Sequence, residues 1–213
     1  SQVYAVCRAA ERGGGVLLSY GNYAGDVLHF GQAAARLRAE GLDVRVLPVT
    51  DDVASGPADA RQLRRGVAGD LVVFKVAGAA AERGWDLDRV FAVASRANDS
   101  TRSLGIAFDG CTLPGASAPL FGVPEGEMSI GLGVHGEPGV REVPMGDASE
   151  IATLLVDGLL AEEPARVEGG YTGRAAVLVN GLGTVQHEEL LIVFGEVARL
   201  LGEAGVQIVQ PEV

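Results

Sequence analysis

The stretch Glu127-Met128-Ser129-Ile130-Gly131-Leu132-Gly133-Val134-His135-Gly136-Glu137-Pro138-Gly139 carries the side chain with the most distinctive chemistry, His135. An imidazole is largely neutral near pH 7, because its reference pKa is about 6.5. A neutral ring nitrogen can add to a ketone carbonyl and hold the ketone covalently. The adduct is a hemiaminal that cannot lose water to give a neutral imine, so the bond selects carbonyl compounds over plain polyols. Glycines at 131, 133, 136 and 139 leave space around the ring. The competing reading, the commoner one for a lone histidine, is a ring that closes a loop by hydrogen bonding to backbone.

Asp26 is the second candidate. One reading is a first-turn carboxylate facing the helix dipole. The other is a carboxylate at the carboxyl edge of a parallel sheet, where ligands bind in such folds. There it could take the proton of a substrate hydroxyl as that hydroxyl attacks a phosphoryl group.

The elements that must position these residues follow from periodicity and punctuation. Ser1 to Arg12 is expected to be a helix stopped by Gly13-Gly14-Gly15, and Val16 to Tyr20 a short buried strand. Gly21 to Asp26 is a loop leading into a helix with Val27, Phe30, Ala34 and Leu37 on one face, ended by Gly41. Val44 to Val49 is a strand, Thr50 to Asp59 a loop, and Arg61 to Val67 a helical turn. Leu71 to Phe74 reads as a strand, Val76 to Arg83 as a helix, and Asp86 as the cap of a helix reaching Asn98. Ser103 to Phe108 is another strand.

Beyond Pro114 to Pro119 the alternation Met128, Ile130, Leu132, Val134 predicts a strand with His135 at its end. Asp147-Ala148-Ser149-Glu150 has capping-box spacing and opens a helix to Ala161; Glu162 to Gly170 is a polar loop. Ala175 to Val179 is a strand, Glu188 to Gly202 a helix with Leu190, Val193, Val197 and Leu200 on one face, and Val206 to Val209 the last strand. The fold class is α/β: a doubly wound, mostly parallel first domain over residues 1–114 carries the Asp26 loop. A smaller α/β second domain over residues 115–213 carries the His135 loop.

Other stretches carry less. Gly13-Gly14-Gly15 precedes a strand, so it is not a dinucleotide loop. Asn180-Gly181-Leu182-Gly183-Thr184 follows a strand and opens a helix, a geometry that can bind phosphate, but a plain turn accounts for it as well. No P-loop lysine pattern occurs, so the chain shows no nucleotide site of its own, and two cysteines far apart cannot make a metal site by themselves. Asn98-Asp99-Ser100-Thr101-Arg102 is a polar connection, and His29 and His187 lie on predicted helices without a ligand-spaced partner. Cys7 and Cys111 are expected to be buried free thiols in a reducing cytoplasm.

The 213 residues are 47% hydrophobic, enough for a sizeable core, and the net charge of -11 argues against a nucleic-acid surface. No basic run suits a membrane surface and no apolar run suits a membrane span. Ser1 at the start and Pro211-Glu212-Val213 after a strand read as cut ends, so the chain is expected to be a fragment of a longer protein.

Three stretches together resemble one family: Gly21-Asn22-Tyr23-Ala24-Gly25-Asp26-Val27-Leu28-His29-Phe30, Arg65-Gly66-Val67-Ala68-Gly69 with Lys75-Val76-Ala77-Gly78-Ala79-Ala80-Ala81, and Gly131 to Gly139. Asn98-Asp99 with Arg102-Ser103, and Leu178-Val179-Asn180-Gly181-Leu182-Gly183, fit the same pattern. The chain is similar over essentially its whole length to the substrate-binding K part of dihydroxyacetone (glycerone) kinases. That resemblance implies a two-domain, cytoplasmic homodimer of glycerol metabolism in which His135 holds the ketose as a hemiaminal. Asp26 would contact substrate and assist proton transfer. ATP and magnesium would be held by a separate L domain or subunit, or the phosphate would arrive through a phosphotransferase relay. The family's upstream glycine-rich loop with a second histidine is not in these residues.

Dihydroxyacetone-specific members carry a lysine before the Asn-Tyr pair, where this chain has Gly21. The change removes a donor and is expected to open space, as in relatives acting on four-carbon ketoses such as erythrulose. The alternative within the same resemblance is a non-catalytic dihydroxyacetone-binding paralogue that acts on a transcription regulator.

Overall fold

Helices cover both faces of a parallel strand pair in the first half of the chain, in a computed structural model that describes residues 1–162, 173–183 and 185–213. The chain forms two compact units. One comprises Ser1–Asp52 and Asp59–Thr101, the other Val53–Ala58 and Arg102–Val213.

In the first unit α1 (Gln2–Ala10) leads to β1 (Val16–Gly21), α2 (Ala24–Ala39) and β2 (Val44–Val49). The two strands run parallel, in register from Val16 opposite Val44 to Gly21 opposite Val49. Strand periodicity then sorts the side chains to two faces. Val16, Leu18, Val44 and Val46 pack with Cys7, Ala34 and Leu37 of α1 and α2. Leu17, Leu47 and Val49 pack instead with Val73 of α3 (Gly69–Glu82) and with Ala94 of α4 (Leu87–Ser100). Short 3-10 turns at Val53–Ser55 and Ala58–Leu63 lie between β2 and α3. Asp86 caps α4 as its sequence predicts, its side chain accepting from the Arg89 amide.

The expected strand at Leu71 to Phe74 is instead part of α3. Asp51 explains the difference. Its Oδ1 accepts from the Val67 amide at 2.9 Å and its Oδ2 from the Gly69 amide at 2.8 Å, so donors at the helix start are satisfied by a residue distant in sequence. Val73 and Ala80 then face the core while Leu71 and Phe74 stay exposed, a helical rather than an alternating pattern.

The second unit holds an antiparallel sheet of β3 (Ile106–Ala107), β4 (Glu127–Ile130) and β5 (Arg141–Pro144). It also holds a parallel pair, β6 (Arg174–Leu178) and β7 (Gln207–Glu212). Helices α5 (Ala148–Leu160) and α6 (His187–Glu203) pack on that pair around Ala152, Val156, Val197, Leu201 and Val206. The Asp147–Glu150 capping box that opens α5 is present. The expected polar loop at 162–170 lies outside the described residues from 163 onward, as does Thr184 of the expected 180–184 turn.

Cys7 is buried, whereas Cys111 is exposed, contrary to the expectation that both are buried. Among the described residues no helix is long and apolar enough to cross a membrane.

Candidate functional site

The carboxyl edge of the β1–β2 pair gathers the first set of candidate residues. Gly21 closes β1 opposite Val49, the last residue of β2. The Asn22 amide donates to the Val49 carbonyl at 3.1 Å. The Asn22 side chain donates to the Arg64 carbonyl at 2.8 Å and the Gln62 carbonyl at 3.2 Å, so it ties the loop before α3 to the end of β1. Asp26 stands in the first turn of α2, past the carboxyl end of β1, and is half-buried.

Two further carboxylates stand at this edge, and neither was singled out by sequence. Asp51 is fully buried and occupied by the Val67 and Gly69 amides, which makes it structural. Asp70 lies in the first turn of α3. Its Oδ1 is enclosed and has no hydrogen-bond partner. Burial pushes the Asp70 carboxyl up to about 6, and the charges of Asp51 and Asp26 add to that push. Burial, followed by the Asp26 charge, also raises the Tyr20 phenol.

Gly21 does not leave the open space its sequence suggested. A Cβ there would lie 3.0 Å from the Gly66 carbonyl oxygen, 3.2 Å from Asp70 Oδ2 and 3.2 Å from the Tyr23 ring. Gly21 is therefore faced by a backbone carbonyl, a carboxylate and an aromatic ring together. Gly66 is packed as tightly, with a Cβ placed 2.6 Å from the Gly21 Cα and 3.1 Å from Asp70 Oδ1. Two glycines thus let backbone close around Asp70.

His135 belongs to the second unit. The strand before it is shorter than the alternation predicts, because Gly131 turns the chain with φ +73 directly after Ile130. His135 therefore sits in the loop of the β4–β5 hairpin, pinched at its base where the Val140 amide donates to the Ile130 carbonyl at 2.8 Å. The Gly133 amide donates to the Glu137 carbonyl and the Gly136 amide to the Gly133 carbonyl, each at 2.9 Å, so the loop is internally braced.

The imidazole side chain is 64% exposed. Its Nδ1 lies 2.9 Å from Glu137 Oε1, and the His135 amide donates to Glu137 Oε2 at 3.1 Å. Burial opposes the charge on Glu137, but hydrogen bonds from the Glu137 and His135 amides and from the His135 ring outweigh it. They hold the carboxyl below its usual range. An ionised Glu137 accepts, so Nδ1 carries the ring proton and the lone pair falls on Nε2. The loop glycines serve packing more than access. A Cβ at Gly136 would lie 2.6 Å from the Phe121 ring, one at Gly131 2.3 Å from the Ala54 Cβ, and one at Gly139 2.7 Å from the Ile130 carbonyl oxygen.

The remaining motifs resolve into structure. The Asn98 side chain accepts from the Thr50 amide at 3.0 Å and donates to the Pro48 carbonyl at 3.2 Å, bracing the end of β2. Asp99 pairs with Arg61 at 3.3 Å. The Asn180 side chain accepts from the Leu182 amide at 3.2 Å, forming a local turn. His29 and His187 are exposed on α2 and α6. Among the described residues no group of three or more His, Cys, Asp or Glu is arranged to hold a metal ion.

The chain is 60% identical over 213 residues to an L-erythrulose 1-kinase of Mycolicibacterium smegmatis, covering 100% of this chain and 37% of that kinase. It spans little more than a third of that relative's length. The dihydroxyacetone kinase of C. freundii in complex with AMP-PNP and Mg2+ superposes with a TM-score of 0.84 at 34% identity, over 99% of this chain and 38% of the other. A dihydroxyacetone kinase operon co-activator, Dha-DhaQ, superposes with a TM-score of 0.89 at 30% identity, over 99% of this chain and 64% of the other. The Dak1 domain profile matches residues 1–213, and the chain belongs to the Dak1 domain family.

Proposed function

We propose that this chain is the ketose-binding part of a short-chain ketose kinase, with His135 as the residue that captures the ketose. The observation that carries this reading is the His135–Glu137 pair, which puts the ring proton on Nδ1 and the lone pair on Nε2. Nε2 attacks the carbonyl carbon and the C=O π pair moves onto oxygen. The ring, now cationic, is stabilised by the Glu137 carboxylate. Loss of the Nδ1 proton and gain of one proton by oxygen complete a neutral hemiaminal, with no water released. Similarity to an erythrulose kinase and to a dihydroxyacetone kinase supports a short ketose as the captured molecule.

Capture fixes one end of the substrate and leaves a terminal hydroxyl as the nucleophile. Asp26 is the proton acceptor for that hydroxyl in phosphoryl transfer. Nucleotide and magnesium, or a phosphotransferase-derived phosphate, come from an L domain or subunit, and the working protein is a cytoplasmic homodimer.

Native mass spectrometry of the full-length protein with erythrulose or dihydroxyacetone tests the capture. The expected spectrum shows addition of the full ketose mass in the wild type and none in His135→Ala. Persistence of the adduct on His135→Ala, or a wild type that never binds covalently, overturns the reading.

The likeness to the operon co-activator favours a second reading, a ketose-binding module that acts on a transcription regulator without phosphoryl transfer. Both readings keep the adduct. Turnover of a ketose by the full-length protein, lost on Asp26→Asn, selects the kinase.

A further inference from the structure

We infer that the outward face of α3 is the surface on which a second copy of this chain docks, the two α3 helices packing antiparallel about a two-fold axis at Gly78. The inference rests on the homodimer of the reading above and names the face that forms it.

Helix α3 buries one side and presents an apolar strip on the other. Gly69, Val73 and Ala80 are its buried side. Leu71, Phe74, Gly78 and Ala81 have the i, i+3, i+7 and i+10 spacing of a single strip along a helix, and all four are exposed. Leu71 is 46% and Phe74 44% exposed. Single apolar residues on a surface are ordinary, whereas a contiguous strip marks a contact.

Gly78 adds a second observation. A glycine in mid-helix is less stable there than alanine. A Cβ at Gly78 would meet nothing within 4 Å, so no contact inside the chain requires glycine. What a missing side chain provides at an exposed helix position is close approach by another helix.

The charges beside the strip fit a second copy. Lys75 and Glu82 lie two helical turns apart, so both border the strip on the same flank. A two-fold axis at Gly78 sets each position before it in one helix against the equally distant position after it in the other. Lys75 then meets Glu82 of the second copy, offset by about 1.5 Å, one residue's rise. The reciprocal pair forms at the other end. By the same rule Phe74 meets Ala81, and the two Gly78 residues meet at the crossing. Opposite charges at both ends and small residues at the centre make the face complementary to itself, as an isologous interface requires.

Sedimentation of the full-length protein tests the face, and the wild type should be a dimer. Lys75→Glu sets like charges against each other twice across the axis, and so does Glu82→Lys. Each should raise the dimer dissociation constant by on the order of tenfold or more. Mixing the two variants should restore dimers, because every cross-pair then joins opposite charges, and a merely unfolded variant would not recover. Gly78→Leu should weaken the dimer by blocking close approach while the far-UV circular dichroism of the monomer stays unchanged. A dimer insensitive to both charge reversals overturns the inference and leaves the homodimer to another face. Loss of the dimer in both variants without recovery on mixing overturns it too. A monomeric wild type overturns the homodimer and this inference together. Ketose capture on His135 is read separately by native mass spectrometry, so these outcomes leave that part of the reading distinguishable.

Discussion

Glu137 grips His135 twice, its Oε1 2.9 Å from the ring Nδ1 and its Oε2 accepting the His135 amide at 3.1 Å. The amide bond fixes the loop, and the ring bond fixes the tautomer. Since the imidazole itself is exposed, this orientation does not come from burial. It comes from a carboxylate two residues further along the same loop.

Glu137→Gln should therefore impair capture without unfolding the domain. A neutral amide can meet Nδ1 either as donor or as acceptor, so the ring is no longer held in the tautomer with its lone pair on Nε2. It also no longer stabilises the cationic ring formed during addition. We expect the ketose adduct of the full-length protein to weaken by on the order of tenfold or more. Titration by native mass spectrometry reads it, and an undiminished adduct would show that Glu137 only braces the loop.

Asp70 should make stability depend on pH. Its carboxyl is raised from 3.8 to about 6 in the folded protein, by burial and by the charges of Asp51 and Asp26. A raised carboxyl pKa means that the folded state binds the proton more tightly than the unfolded chain. The resulting stability is present below about 3.8 and is lost as pH rises through about 6. Asp70→Asn has no charge to bury, so its stability relative to wild type should rise across that window and level off above it. Solvent around the half-buried group reduces the full effect to about 1–2 kcal/mol, a few degrees in Tm. Thermal melts at pH 4 and pH 8 measure it, and a constant difference between the two proteins at both pH values would contradict the assignment.

Asp51 is a structural counterpart at the same edge. Removing its carboxylate leaves the Val67 and Gly69 amides without their acceptors at the start of α3. Asp51→Ala should cost about 2–4 kcal/mol. Gly69→Ala should cost a comparable amount for a different reason, since a Cβ there would stand 2.5 Å from the Asp51 Cγ. Urea unfolding separates these from Asp70 variants, which should not destabilise the protein at neutral pH.

Local pattern made much of this legible. The helix ends at Gly41 and at the Asp86 and Asp147 caps were readable because each signal lies within a turn of the element it bounds. Asp26 was placed past β1 for the same reason. What escaped was nonlocal. The α3 start depends on Asp51, distant in sequence, and without it Leu71-Val72-Val73-Phe74 reads as strand. Segment Val53–Ala58 joins the second unit although the first surrounds it in sequence. Asp70 carried no signal of its own beside an expected strand at Leu71 to Phe74, and only packing shows two glycine backbones against its oxygens. The pairing of Glu137 with His135 was within local reach, but its two-residue spacing is no recognised signal outside this loop.

Asp26 separates capture from transfer. Addition of an imidazole nitrogen to a carbonyl needs no external base at Asp26, whereas a hydroxyl attacking phosphorus must lose its proton. Asp26→Asn keeps the shape of the first turn of α2 and removes only the carboxylate. The adduct on His135 should therefore persist at wild-type occupancy while kcat for ketose phosphorylation falls by about 10²–10⁴. The lost charge is also one of those that raise Asp70, so the Asp70 carboxyl should drop toward its ordinary range in the variant. A ¹³C NMR titration of the aspartate carboxyls would detect that shift independently of activity. Retained turnover in Asp26→Asn, with the Asp70 shift present, would mean that the hydroxyl proton goes elsewhere and that Asp26 contributes only its field at the sheet edge.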